Sequence, residues 1–248
     1  MDPIGIAAAS GMRARMESLE VLANNLANST TAGFKADRES YSLYVSPEAN
    51  SAGTLPLTVP VIEKNWTDFT QGPLQETGKS TDLALAGRGF FALGGTDGPA
   101  YSRSGSFRLS ATGALQSGDG RPVLDTLSRP IQVQPNSELR ITGAGELFQN
   151  GAPVGQLQIV DFARPEILSK KGQNLFVIQK DAALADQPFP ARSAQVNQGY
   201  TEAPNTQAAE SAVRMIHVLR QFESLQRAMA MAGEMNQKVL DEVVKSHG

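Results

Sequence analysis

Apolar and small residues near the start of the chain recur at alternating spacings of four and three. Their mean spacing of about 3.5 is typical of a helix that buries one stripe in a coiled coil. Asp2 can cap this helix, and Pro3 suits its first position, where an N–H is not needed. The Asn/Ser/Thr cluster at 28–31 ends it, and Gly33 can adopt a left-handed C-terminal cap. The sequence thus predicts a helix within residues 1–33, with the stripe Gly5, Ala9, Met12, Met16, Leu19, Ala23 and Leu26.

The end of the chain carries a second stripe with the same mean spacing. Pro204 and Asn205 mark its start, so a long helix is predicted within residues 202–248. Because each helix has one apolar face to bury, we expect the two helices to pair with each other and with other subunits. The second stripe consists of Ala208, Ala212, Met215, Leu219, Phe222, Leu225, Met229, Ala232, Met235, Val239 and Val243.

The chain between the stripes changes character twice. Residues 34–80 are polar, include a Ser/Gly/Pro-rich stretch at 46–58, and are predicted to form an extended connector. Residues 81–201 contain short apolar runs separated by turn residues, which indicates a β-rich domain. Asn150-Gly151 is a strong signal for a type I′ hairpin turn. The strand candidates are 83–85, 90–93, 101–109, 123–124, 131–133, 139–141, 157–162 and 175–178.

These patterns together predict an α+β fold. The N- and C-terminal long helices, within 1–33 and 202–248, are expected to pair as a coiled-coil-like α-domain. The extended connector at 34–80 and the central β-rich domain at 81–201 complete this prediction.

Composition excludes several classes of protein. The 248 residues carry a formal net charge of -3, so no basic field attracts nucleic acid. The absence of cysteine excludes disulfides, thiolate catalysis and Cys-based zinc sites. No apolar run is long enough to span a bilayer, and the N-terminal residues do not have the pattern of a secretory signal. If the protein leaves the cytoplasm, we expect export without a cleaved signal peptide.

Candidate chemistry in the sequence is sparse. His217 and His247 are the only histidines, and neither has a Ser or Asp partner nearby in sequence. Residues 87–92 (GRGFFA) match the letters of a dinucleotide fingerprint, but a turn follows where that motif requires a helix. Asp119 and Asp125 lack the spacing of a calcium loop. We therefore expect no catalytic, cofactor or metal site, and no enzymatic activity.

Four stretches, in the same order, resemble one known family. Residues 22–37 (LANNLANSTTAGFKAD) resemble the N-terminal signature of the bacterial flagellar rod and hook proteins. Residues 69–91, with FTQG and GRGFF, and 101–125 (YSRSGSFRLSATGALQSGDGRPVLD) resemble the entry and hairpins of that family's β-domain. Residues 198–202 (QGYTE), followed by a long helix, resemble its C-terminal region. The chain therefore resembles the flagellar basal-body rod proteins.

The resemblance implies a structural subunit of the rod, the drive shaft that crosses the periplasm, transmits torque and surrounds the export channel. Relatives pass unfolded through the flagellar type III export apparatus, and their terminal helices line the inner tube. Met215-Ile216 and residues 220–223 resemble the proximal-rod branch of the family, and the chain length fits that branch. The distal-rod branch is the alternative.

The expected partners are other rod proteins, proximal and distal, further copies of this chain and the export apparatus, without nucleic acid or membrane insertion. Two other classes share part of the pattern. A secreted coiled-coil fibre or adhesin would use the same stripes in a closed trimer, and a β-rich periplasmic enzyme would need a polar cluster that the sequence lacks. The predicted assembly interface is Met12, Met16, Leu19, Leu22, Asn25, Leu26, Asn28, Gly33, Phe34, Met215, Leu219, Phe222, Leu225 and Met229.

Overall fold

The described chain divides into two compact units. The computed structural model describes residues 3–45, 58–95, 98–134, 137–172, 174–179 and 187–246. The first of the two units, here called the helical unit, comprises the described parts of Met1–Ala27, Asp37–Trp66 and Gln207–Gly248. The second, called the β unit, comprises those of Asn28–Ala36 and Thr67–Thr206.

The helical unit contains both α-helices of the described residues. α1 spans Pro3–Ala27 and α2 spans Ala208–Ser246. Proline at the first helical position and the turn that begins at Asn28 confirm the predicted bounds of α1. Gly33 has φ +72°, the left-handed conformation that was predicted for it. The unit also contains the two-stranded sheet of β1 (Asp37–Val45) and β2 (Thr58–Thr67).

The contact between α1 and α2 includes Leu225 of the predicted α2 stripe, but on α1 it uses a different face from the one predicted. α1 buries Ala8, Gly11, Ala14 and Ser18, and a Cβ added at Gly11 would lie 3.3 Å from Cδ1 of Leu225 in α2. Small residues on this face let the helix backbones approach closely. Three residues of the α1 stripe that the pattern predicts to be buried are exposed: Ala9, Met16 and Ala23.

The predicted α+β fold built on a coiled-coil-like α-domain is therefore wrong. Outside the two helices, the described residues form seventeen strands, fifteen of them two to five residues long, so the described chain is mostly β. Leu219, Met229 and Met235, which should lie in the seam of α2, are exposed as well. The prediction failed because α1 is rich in Ala, Gly and Met on more than one face, so a 3.5-residue spacing could be drawn beside the face that is buried.

The β unit is a set of small antiparallel sheets. Its largest sheet has six strands in the order β13-β14-β6-β5-β12-β15, and a three-stranded sheet has the order β11-β10-β9. Three two-stranded sheets, β16–β4, β17–β3 and β7–β8, complete the β unit. The strands are β3 (Leu74–Glu76), β4 (Leu83–Ala86), β5 (Phe90–Leu93), β6 (Ala100–Ser102), β7 (Arg108–Leu109), β8 (Leu115–Gln116), β9 (Leu139–Ile141), β10 (Glu146–Gln149), β11 (Ala152–Gln156), β12 (Ile159–Asp161), β13 (Leu168–Lys170), β14 (Phe176–Ile178), β15 (Phe189–Pro190), β16 (Gln195–Gln198) and β17 (Tyr200–Glu202).

Two hydrophobic clusters form the core of the β unit. The larger is aliphatic and centres on Leu83, Leu85, Leu115 and Leu147, each fully buried. The second is aromatic, with ring centroids 5.0–5.8 Å apart in edge-to-face contacts. Edge-to-face packing is the favoured geometry for aromatic pairs and adds to the stabilisation from buried area. The rings of this second cluster belong to Phe69, Phe90, Tyr101, Phe162 and Phe176.

Several local predictions are confirmed in the β unit. Asn150 and Gly151 have φ of +49° and +82°, as a type I′ turn requires, and they join β10 to β11. Strands occur at 83–85, 90–93 and 139–141 as predicted. Residues 123–124 and 131–133 form only isolated bridges. The Ser/Gly/Pro-rich stretch at 46–58 of the predicted connector lies, apart from its last residue, outside the described residues.

Candidate assembly site

One side of α2 presents large apolar side chains to solvent. Val213 and Met231 are about five helical turns apart and therefore share one face, which Ile216 and Met235 extend. Met235 is 67% exposed and Met231 is 59% exposed. Exposed apolar surface of this kind is typical of a protein–protein contact. We call the exposed apolar surface of α2 its apolar face. It comprises Val213, Ile216, Met231 and Met235 on one side of the helix, and Leu219 and Met229, which lie about 120° and 160° round the helix from Val213.

The residues predicted for the interface on the helices differ in exposure. Met16 is 54% exposed, Leu219 is 41% exposed and Met229 is also exposed. Leu22 is buried. The remaining members are half-buried: Met12, Leu19, Leu26, Met215, Phe222 and Leu225. The exposed three are thus the predicted residues on the helices that are most available to a partner.

The predicted residues that follow Leu22 in the N-terminal signature lie inside their own units. Asn25 is buried, and its side chain accepts from the amide of Asp37 at 2.9 Å and donates to the carbonyl of Asp37 at 2.8 Å. In the β unit, Asn28, Gly33 and Phe34 are buried, the last with only 1% of its surface exposed. Each of these residues is buried within its own unit, and their part in an interface between subunits stays a prediction.

A buried ion cluster holds the segment after α1 against the strand before α2 within the β unit. The ammonium of Lys35 lies 2.5 Å from Oε1 of Glu202. The guanidinium of Arg103 lies 2.7 Å from Oε2 of the same carboxylate. All three side chains are almost completely buried. We call Lys35, Arg103 and Glu202 the ionic clamp.

Backbone groups satisfy the rest of the ionic clamp. The ammonium of Lys35 also donates to the carbonyl of Thr70 at 2.6 Å, and the amide of Gly72 donates to Oε1 of Glu202 at 2.9 Å. Arg103 donates to the carbonyls of Gly87 and Gly89 at 2.8 and 2.7 Å. The glycine pair that resembled a dinucleotide fingerprint thus provides acceptors for a buried arginine, with φ of +97° and +145°.

The ionic clamp makes the β unit sensitive to the loss of any one charge. Burial lowers the pKa of Lys35 below the ordinary 10.5, and the Glu202 carboxylate opposes that shift. Because the unfolded chain then holds this proton more tightly, the contribution of Lys35 to the free energy of unfolding rises as pH approaches 10.5 from below. Removing one member of a buried ion pair leaves an uncompensated charge, which costs more than the intact pair contributes.

Asn205 fastens the same segments through its side-chain amide. Its Oδ1 accepts from the amide of Ala36 at 2.8 Å, and its Nδ2 donates to the carbonyl of Asp68 at 2.7 Å. The amide of Gly33 donates to the carbonyl of Glu202 at 2.7 Å, and Glu202 lies close to Asn205 in the sequence. The residues after α1 are therefore part of the β unit through several independent hydrogen bonds.

Asn205→Ala is expected to lower the free energy of unfolding by about 1–3 kcal/mol, because it leaves buried backbone groups without partners. Gln195→Ala, at an exposed position in β16, is the control and should change stability by less than about 0.5 kcal/mol. Amide hydrogen exchange at Ala36, with thermal unfolding of the full chain, measures both. Equal, small effects in the two variants would show that the Asn205 side chain does not hold this segment.

Sequence reasoning missed Lys35, Arg103, Glu202 and Asn205. Lys35 stands between Phe34 and Ala36, and a lone charge in an apolar setting was the available signal. Its partner Glu202 is 167 residues away along the chain, so one sequence could not pair them.

The described residues contain no group of three or more His, Cys, Asp or Glu side chains that could hold a metal ion. The imidazole of His217 lies 2.9 Å from the amide of Gln221 on the surface of α2. In the part of the chain that the structure describes, no helix is long and apolar enough to cross a bilayer.

Three family profiles match the chain along its length. They are described as Flagella basal body rod protein at residues 7–35, Flagellar hook protein FlgE/F/G D1 domain at 84–149, and Flagellar basal body rod FlgEFG protein C-terminal at 197–242. The chain is 34% identical over 239 residues to the flagellar basal-body rod protein FlgF of Caulobacter vibrioides, covering 92% of each. The chain belongs to the flagellar basal-body rod protein family. It is a structural subunit of the flagellar basal-body rod and works among other rod proteins.

Both branches of the family resemble this rod subunit to a similar degree. It is 31% identical over 255 residues to FlgG of Bacillus subtilis, covering 94% of this chain and 96% of FlgG. It is 30% identical over 243 residues to FlgF of Mesorhizobium japonicum, covering 97% and 96%. The family resemblance seen in residues 22–37 and 198–202 is thereby confirmed.

Proposed function

We propose that this rod subunit joins its neighbours through the apolar face of α2, together with Met16 of α1. The observation that supports the proposal is the exposure of Val213, Ile216, Met231 and Met235 on one face of a single helix. A rod subunit is one copy in a packed assembly, so exposed apolar side chains on one side of a helix have a partner available there. Burial of each such side chain contributes about 1.5–3 kcal/mol.

We also propose a route of export and a position in the rod for this subunit. The chain passes through the flagellar type III export apparatus and assembles in the periplasm, with further copies of itself and with other rod proteins, where it transmits torque without catalysis. Its place is the proximal rod. The residues Met215-Ile216 and 220–223 support that branch, and the distal rod is the alternative. We expect this chain to restore motility to a strain that lacks its proximal-rod FlgF. We expect it not to restore motility to a strain that lacks FlgG.

Leu219→Asp is expected to reduce incorporation into the rod at least about tenfold, because it places a charge in the apolar face. The matched control is Leu127→Asp in the β unit, where Leu127 is equally apolar and is exposed outside the proposed face. Each variant replaces the only copy in the cell, and its amount in purified basal bodies is measured. Amide exchange of the β unit checks that both proteins are folded.

Phe222→Asp should also block incorporation, but Phe222 is half-buried, so this variant tests packing within the helical unit as well. Leu219→Asp is therefore the decisive change. Normal incorporation of the Leu219→Asp protein, or equal loss in the Leu127→Asp protein, would exclude the apolar face of α2 as the assembly surface.

A further inference from the structure

The methionines of this chain have an uneven distribution. The chain has seven, and none occurs between Met16 and Met215. Six of the seven lie in α1 and α2. The chain has no cysteine, so these thioethers are its only sulfur atoms. Sulfur chemistry is thus confined to the helical unit.

Four of these methionines are exposed in the single chain. They are Met16, Met229, Met231 and Met235, and the last three belong to the apolar face of α2. Accessible thioethers react with two-electron oxidants, whereas those packed in a core are shielded. The same side chains that would meet a neighbouring subunit are therefore open to oxidation until that neighbour covers them.

We propose that the apolar face of α2 is a methionine-oxidation site, at which peroxide converts an assembly-competent subunit into one that the rod rejects. This inference rests on the assembly role proposed above for that face. A sulfur lone pair of Met231 or Met235 attacks one oxygen of hydrogen peroxide, so an S–O bond forms and the O–O bond breaks. The released hydroxide takes the remaining peroxide proton and leaves as water, while sulfur is oxidised by two electrons.

The product changes the surface in a defined way. Methionine sulfoxide is polar and chiral, whereas methionine is flexible and apolar, so oxidation disrupts Met-rich interfaces. Burying the sulfoxide oxygen without a hydrogen-bond donor is unfavourable. Since sulfoxides can be reduced enzymatically, the block is reversible. Met215 is half-buried in α2 and should react more slowly than Met235.

The test compares two full-length proteins in cells that lack their own copy. One is the natural chain, and the other carries Met16→Leu, Met229→Leu, Met231→Leu and Met235→Leu, which keep the face apolar and helical. Production begins with or without a sublethal pulse of hydrogen peroxide, and the amount in purified basal bodies is measured. Mass spectrometry of the exported, unassembled protein confirms sulfoxide at the four positions in the natural chain.

Peroxide is expected to lower incorporation of the natural chain about tenfold, the factor that corresponds to losing one buried apolar contact. Incorporation of the four-leucine protein should stay unchanged. Equal loss in both proteins, or normal incorporation of a natural chain that carries the sulfoxides, would overturn the inference. Leu219→Asp without oxidant separates the two proposals: if it blocks incorporation while sulfoxides do not, the assembly role stands and only the oxidation site fails.

Discussion

Replacing Glu202 with glutamine is expected to lower the free energy of unfolding of the β unit by about 3–5 kcal/mol. The change keeps the shape of the side chain but removes the one carboxylate that contacts both Lys35 and Arg103. Two buried cations would then share a site without the anion that pairs with both of them. A loss of this size is a large fraction of the stability of an ordinary domain.

The matched control for this change is Glu210→Gln. Glu210 forms an ion pair with Arg214 at 2.7 Å, but both side chains are more than half exposed. A surface pair of this kind contributes about 0–1 kcal/mol, so Glu210→Gln should have little effect. Chemical denaturation of the full chain, followed by amide exchange in β4 and β17, reports on the β unit specifically.

A second change distinguishes charge from packing. Lys35→Met in the Glu202→Gln protein removes one of the two unpaired cations, so it should recover part of the lost stability. Additive destabilisation by the two changes would mean that Lys35 and Glu202 are not energetically coupled, and the ionic clamp would lose its role.

Gly33→Ala is expected to destabilise the β unit by about 3 kcal/mol or more. Two effects combine at this position. Gly33 has φ +72°, where alanine is strained, and an added Cβ would lie 2.5 Å from Cα of Ser104 and 2.6 Å from the carbonyl carbon of Arg103. Both neighbours are backbone atoms, so a side-chain movement cannot relieve the overlap.

Gly78→Ala separates strain from overlap. Gly78 has nearly the same φ, +71°, but an added Cβ would meet nothing within 4 Å. This variant should therefore lose only about 1–2 kcal/mol, the cost of the left-handed conformation alone. Thermal unfolding of both full-length proteins gives the comparison. If the two variants have equal stability, residues 28–36 do not pack against Arg103 and Ser104 as described.

Local signals in the sequence predicted local structure well. Pro3 and Asn28 marked the ends of α1, and Asn150-Gly151 marked the hairpin between β10 and β11. Each of these signals acts through the backbone conformation of its own residues. The helix contact was not predictable in the same way. Ala8 and Ala9 are equally good candidates for a buried face, and only the position of Leu225 beside Gly11 decides between them.

The candidate assembly site was predicted only in part, because Val213, Ile216 and Met231 fall outside the predicted stripe. Met16, Leu219 and Met229 are exposed apolar residues that a periodic pattern could select. The ionic clamp depends on three distant segments of the chain, so its members looked like isolated charges. Gly87 and Gly89 looked like a nucleotide motif because the sequence does not reveal that their carbonyls face Arg103.

The absence of cysteine allows one direct measurement of the central claim, that the apolar face of α2 is covered in the rod. A single thiol introduced by Met235→Cys, or by Leu127→Cys as the control, is labelled with a maleimide in the free subunit and in purified basal bodies. Both positions are 67% exposed in the single chain, so both should react quickly in the free subunit. In the rod, the account predicts strong protection at position 235 and continued labelling at position 127. Equally fast labelling of position 235 in the rod and in the free subunit would contradict the account.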